Sequence, residues 1–198
     1  METLPFSKNA LHVVIDMQRL FAEETEWHTP AIAAILPNVM KLTRAKPSDT
    51  VFARFVVPQN ADAAKGAWKN YYRRWSSVTL DAIDPAMLGL VAPLAAIAHE
   101  RSIIDKQTYS IFGSEGFSER LRAAGIDTLI FSGIETDVCV YASVLDAVDE
   151  GYRVILAADA LASSNAQAHD VVLGTLVPRL SEQIEILSTE TIVKLWQA

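Results

Sequence analysis

A chain of 198 residues with 51% hydrophobic and 21% charged content is long enough to bury about 70% of the surface its unfolded form exposes, and it predicts one globular domain over 1–198. A formal net charge of −7, with Arg73-Arg74 as the longest basic cluster, argues against nucleic acid as a partner, because such a surface must neutralise phosphates. No stretch approaches the roughly 18 unbroken apolar residues of a membrane span, and one cysteine cannot close an intrachain disulfide, so the expectation is a cytoplasmic protein with no membrane partner.

The opening METLPFSKNALHVVID lacks a basic leader region and its apolar run stops at Asp16, which reads against a cleaved signal peptide. Runs rich in Val, Ile and Leu predict buried strands at 11–16, 50–57, 102–105, 127–133, 153–159 and 183–187. Helical spacing fills the gaps, and continuous apolar strands alternating with helices indicate an α/β fold, a parallel sheet covered on both faces. Gly125 and Gly151 each follow a helical segment at the left-handed cap position, directly before a strand. The connection from about 58 to 101 is long enough to hold a helix of its own. Within it Trp68, Tyr71, Tyr72 and Trp75 share one helical face, which reads first as packing in the core or at a subunit contact. Its functional reading is a lid, with Arg73 or Arg74 gripping a substrate carboxylate. A final helix over about 166–182 contains Gly174 and Pro178 and should kink or end early.

Ligands in open parallel sheets bind beyond the carboxyl ends of the strands. Three chemically useful residues fall there: Asp16 after the first strand, Lys106 after the third, and Cys139 opening the helix after the fourth. With Thr136 as N-cap, Cys139 takes the third helical position, and Val138, Ala142, Leu145 and Val148 face the sheet. The free N–H groups of that first turn favour a thiolate, whereas Glu135 and Asp137 oppose it. Lys106 can supply a compensating charge, and Asp16 can accept the sulfur's proton and return it to a leaving amine. Phe21 and Trp27, shortly after Asp16, are candidate pocket walls, while Asp159, Ser163 and Ser164 read as turn and cap residues.

The segments VVIDMQRLF, DKQTYSIFGSEGF and GIETDVCVYASVLDAVDEGYRVILAADA resemble the isochorismatase-like cysteine hydrolases, over about residues 10 to 187. The resemblance implies a Rossmann-like three-layer α/β/α fold with a six-stranded parallel sheet, and an Asp-Lys-Cys triad whose roles fall on Asp16, Lys106 and Cys139. It also implies a cis peptide between Ile134 and Glu135, with the Glu135 and Cys139 N–H groups as an oxyanion hole. Nicotinamidases of that family carry a D-x-H metal motif after the second strand; here RFVVPQNADAAKGAWKNYY contains no histidine, so no metal and no cofactor is expected. The expected activity is hydrolysis of a C–N bond in a small amide or N-carbamoyl compound through a thioester. Substrate contacts are expected from Phe21, Trp27, Trp68, Tyr72, Arg73 and Trp75, in a homo-oligomer of two or four subunits. The alternatives are vinyl ether hydrolysis of the isochorismatase type, or a noncatalytic ligand-binding or redox relative.

Overall fold

The computed structural model describes residues 9–197, so the part of the leader reading that falls on residues 1–8 lies outside the described residues. Six strands form one sheet: β1 Ala10–Ile15, β2 Thr50–Phe55, β3 Ile103–Lys106, β4 Thr128–Gly133, β5 Arg153–Leu161 and β6 Ile184–Leu187. Every pairing is parallel and the order is β3-β2-β1-β4-β5-β6. All six predicted strands are present within a few residues of their expected bounds.

The strands are apolar throughout because both faces are covered, with successive side chains serving opposite cores. Val13 and Ile15 of β1 join one cluster with Val51, Phe131 and Leu156. Ala10 and Val14 join the other with Phe52, Ile130 and Ile155. On the second face lie α1 Ile32–Ala45 and the C-terminal helix, which pack on each other and on β5. On the first lie α2 Trp68–Arg74, α3 Phe117–Ala123, α4 Tyr141–Asp149 and α5 Ala166–Val171. Two helical layers around a parallel sheet make the three-layer α/β/α arrangement that the resemblance implies. Gly125 and Gly151 take φ of +65° and +87°, as their cap positions require.

The helix expected over 166–182 is interrupted, in keeping with its Gly174 and Pro178: α5 runs into a π turn, Val172–Leu176, and then a 3-10 turn, Val177–Leu180, that contains Pro178. Two local expectations need correction. A further helix, α6 Thr189–Gln197, was not expected. It is short, and its start depends on a distant group: Asp159 Oδ1 accepts from both Thr189 N and Thr189 Oγ1 at 2.7 Å. The second correction concerns the segment before α4. Residues Thr136–Val140 form a π turn whose N-cap is Glu135, not Thr136. The wider turn holds one more residue than an α turn and rotates the helix that follows, so Ser143, Val144 and Ala147 are buried while Leu145 is exposed.

At the sheet's centre β1 and β4 approach closely. A Cβ on Gly133, whose φ is +106°, would stand 2.1 Å from the Ile15 carbonyl oxygen, so only glycine fits at the end of β4.

His12 is fully buried on β1, with Nε2 2.7 Å from Ser132 Oγ and Trp196 at its edge. Burial lowers its pKa from 6.5 to about 3. The unfolded chain therefore binds a proton below about pH 6.5 that the fold refuses, so His12 leaves stability intact at neutral pH and subtracts from it as pH falls, by about 3 kcal/mol near pH 4.5. In urea titrations at pH 7 and 4.5, His12→Asn should show a smaller acid loss than the parent; equal losses would remove His12 as the cause.

Candidate active site

The strand order reverses between β1 and β4, and both strands end at the same rim, where a crevice opens. Asp16 follows β1 immediately and is the one described non-glycine residue with positive φ, +51°. Asp tolerates that conformation better than most residues, and two bonds hold it: Asp16 N donates to Ala53 O at 3.2 Å, and Gln18 N to Asp16 O at 2.8 Å. The fully buried Gln18 side chain locks the same corner. Its Nε2 donates to Phe55 O and Leu88 O, and its Oε1 accepts from Phe55 N.

Lys106 is the last residue of the edge strand β3, two strands from β1. Its stem passes β2 so that Nζ lies 4.6 Å from the Phe55 ring centroid and reaches Asp16 Oδ2 at 2.8 Å. Thr108 O accepts a second bond at 3.2 Å. Cys139 lies in the π turn after β4. That turn is pinned at Thr136, whose N and Oγ1 both donate to Ala162 O at 3.0 Å. Ser143 then ties it to the segment after β3: its Oγ donates to Cys139 O at 2.7 Å and accepts from Ile111 N at 3.1 Å. The structure thus brings Asp16, Lys106 and Cys139 together. The thiol lies beside both charged groups and feels each, yet Asp16 Oδ1 receives no full hydrogen bond among the described residues.

Asp16 and Lys106 are at most 1% exposed and Cys139 is 8% exposed, so their charges act with little solvent screening. Burial raises the Asp16 carboxyl above its ordinary value, against the pull of Lys106. For Lys106, burial works to lower the ammonium, but the attraction of Asp16 and Cys139 outweighs it and leaves the group raised. Burial first, then the Asp16 charge, push the Cys139 thiol well up, further than Lys106 brings it down. Lys106 therefore acts in the expected direction without making a standing thiolate. A sulfur with its pKa so raised would give up a proton only to a neighbouring base, and the Asp16 carboxylate is the adjacent group. The cis peptide lies between Ile134 and Glu135, where the resemblance implies it.

Above the three groups opens a cleft of about 230 Å³. Asp16, Glu135, Val138 and Cys139 form its floor; Phe21, Trp27, Phe55, Tyr71, Trp75 and Tyr109 form its walls; Glu26, His28 and Ser164 complete the lining. Of the expected substrate contacts, Phe21, Trp27 and Trp75 face this cleft. Trp68 and Tyr72 stand behind the wall, packed on Phe55, Tyr71 and Trp27. Arg73 points outward to Asn70 at 3.0 Å and Asp62 at 3.7 Å, and Arg74 lies over the Trp75 ring, so neither guanidinium enters the cleft. Helix α2 turns Tyr71 and Trp75 inward, and the arginines follow on its outer side. Phe55 and Tyr109 were overlooked although both sit on the same rim, one ending β2 and the other three residues past Lys106. Ser164 was read only as a turn residue; its N donates to Glu135 Oε1 at 2.9 Å, and Thr29 Oγ1 donates to the same oxygen at 3.1 Å.

After β2 the chain lines the cleft with the aromatic side chains of Tyr71 and Trp75, and among the described residues no three His, Cys, Asp or Glu side chains are grouped so as to hold a metal ion. The donors present do not fit the zinc site that the nicotinamidase motif describes.

The model of the isochorismatase domain matches residues 10–188. The chain belongs to the isochorismatase family. Nicotinamidase 3 of Arabidopsis thaliana is 27% identical over 173 residues, which span 87% of this chain and 82% of the plant protein. A second Arabidopsis thaliana relative, named a probable inactive nicotinamidase, is 25% identical over 91% of this chain and 97% of its own length. Among solved structures, a cysteine hydrolase from Pseudomonas syringae pv. phaseolicola 1448A superposes with a TM-score of 0.82 at 24% identity, covering 98% of this chain and 96% of that one. This isochorismatase-family chain is a hydrolase by membership, and no described helix is long and apolar enough to cross a membrane.

Proposed function

We propose that the protein hydrolyses a C–N bond of a small amide or N-carbamoyl compound by a covalent cysteine mechanism. The observation that carries this reading is the meeting of a thiol and a carboxylate with an unbonded oxygen on the floor of an aromatic cleft, with a buried ammonium bonded to the carboxylate behind them. As Cys139 Sγ attacks the carbonyl carbon, its proton passes to Asp16. The oxyanion forms within reach of the Glu135 and Cys139 N–H groups; one such donor is typically worth on the order of 3 kcal/mol of transition-state stabilisation. Asp16 gives the proton to nitrogen, the C–N bond breaks, and ammonia or an amine leaves a thioester behind. Water then attacks the thioester and its proton moves to Asp16. The C–S bond breaks, the acid departs, and sulfur recovers the proton. Lys106 keeps its charge throughout and lowers the energy of each anionic species between the two.

The relative named a nicotinamidase supports amide chemistry, and Cys139 supports acyl transfer over vinyl ether hydrolysis, which needs a proton donor but no thiol. The test is an ammonia-release screen over primary amides, N-carbamoyl compounds and ureido acids, with the Cys139→Ala protein as blank. Release that depends on Cys139, with a thioester-mass adduct at that residue, is the expected result. Release that is equal in the blank would overturn the mechanism.

A further inference from the structure

We propose that the cleft selects a small amide or carbamoyl compound carrying a positive charge remote from the scissile bond. This deepens the amide-hydrolase reading above and rests on it.

The charged groups that line the cleft, among the described residues, are three carboxylates, Asp16, Glu26 and Glu135. Asp16 is balanced by Lys106. The other two have only neutral donors: Thr29 Oγ1 and Ser164 N for Glu135, and Ser77 Oγ for Glu26. Burial is the main cause that raises the Asp16 carboxyl and the Tyr71 hydroxyl, and the Glu135 charge adds a smaller push to both. No guanidinium lines the cleft: Arg73 is paired with Asp62 outside, and Arg74 lies over the Trp75 ring at 4.8 Å, from where its charge acts on Tyr71 less strongly than that of Glu135.

A substrate carboxylate would therefore lose its hydration beside two like charges and gain no cation in return. An ammonium meets the reverse situation. Trp27 stacks on Phe21 with centroids 5.8 Å apart, and Tyr71 and Trp75 continue the wall, so aromatic rings and two carboxylates line the space a substrate tail would fill. The overall charge of −7 adds a long-range attraction of the same sign.

Three primary amides of equal length decide the matter, ending in trimethylammonium, tert-butyl or carboxylate. The kcat/KM values should fall in that order, by about tenfold from cation to neutral and further to anion. Glu26→Gln should lower the cation-to-neutral ratio about fivefold, and added salt should raise KM for the cationic amide alone. Fastest turnover of the carboxylate amide, or an unchanged ratio in Glu26→Gln, overturns the proposal while leaving amide hydrolysis standing. If none of the three releases ammonia, hydrolysis of such primary amides is what has failed, and the N-carbamoyl arm of the proposed function is tested by its own screen. Calorimetry on Cys139→Ala then decides charge selection separately: tighter binding of the trimethylammonium compound supports it, and equal or weaker binding than the tert-butyl compound overturns it.

Discussion

Cys139→Ala should reduce kcat/KM for an amide substrate by about 10⁴-fold or more, because removing the attacking atom of a covalent mechanism leaves only binding and oxyanion stabilisation. The fold should survive. The side chain lost is small, its backbone is held by Ser143 and by the pinned Thr136, and the truncation should cost only about 1 kcal/mol of stability. Cys139→Ser should fail nearly as badly, since a hydroxyl is a far weaker acid than a thiol and Asp16 is a weak base for it. Ammonia release measured beside circular dichroism separates lost chemistry from lost structure. Near-parental turnover in an Ala variant of native spectrum would rule out sulfur as the nucleophile.

Lys106→Met and Asp16→Asn should each remove activity and also destabilise the protein, by about 3–5 kcal/mol, because each strands a buried charge without its partner. The double variant should regain much of that stability, since two neutral side chains of similar size replace the ion pair, yet remain inactive. A thermodynamic cycle of the four proteins in urea measures this coupling. Simple addition of the two losses would mean that the 2.8 Å contact contributes little. The pH dependence has a definite sign as well. Burial raises Asp16, and the proposed mechanism needs its ionised form, so activity should fall with acid at a pH above the ordinary carboxylate value.

Why the three groups were legible in the sequence, and most of the wall was not, has a physical explanation. Asp16, Lys106 and Cys139 are placed by strand ends, and buried strands announce themselves by local apolar runs. Their carboxyl ends lie on one rim by topology, so position along the chain brought them together and the family resemblance singled them out. The wall is built by tertiary approach. Glu26 and His28 lie in the irregular segment after β1, and Ser164 in the one after β5, where no period reports orientation. In α2 the pattern did identify an inward face of Trp68, Tyr71, Tyr72 and Trp75, but not which rings of that face reach the cleft. It is the packing of Trp68 and Tyr72 against Phe55 and Trp27 that sets them behind. The π turn at Thr136–Val140 was hidden for a related reason. A single extra residue per turn leaves composition unchanged while moving every later side chain around the axis, which is why Leu145 faces outward. Helix α6 escaped notice because Asp159, the group that starts it, comes from 30 positions earlier.

The placement of Lys106 has a consequence for how the molecule ages under heat. Its strand is four residues long and borders the sheet on one side only, where short backbone pairing with β2 holds it and the exposed Arg54–Asp105 pair adds little, whereas the thiol and carboxylate hang from the two innermost strands. Margins of a sheet fray at lower cost than its centre. Warming should peel the ammonium away from an otherwise standing scaffold, so hydrolysis would be extinguished some degrees below the temperature at which the body of the protein melts.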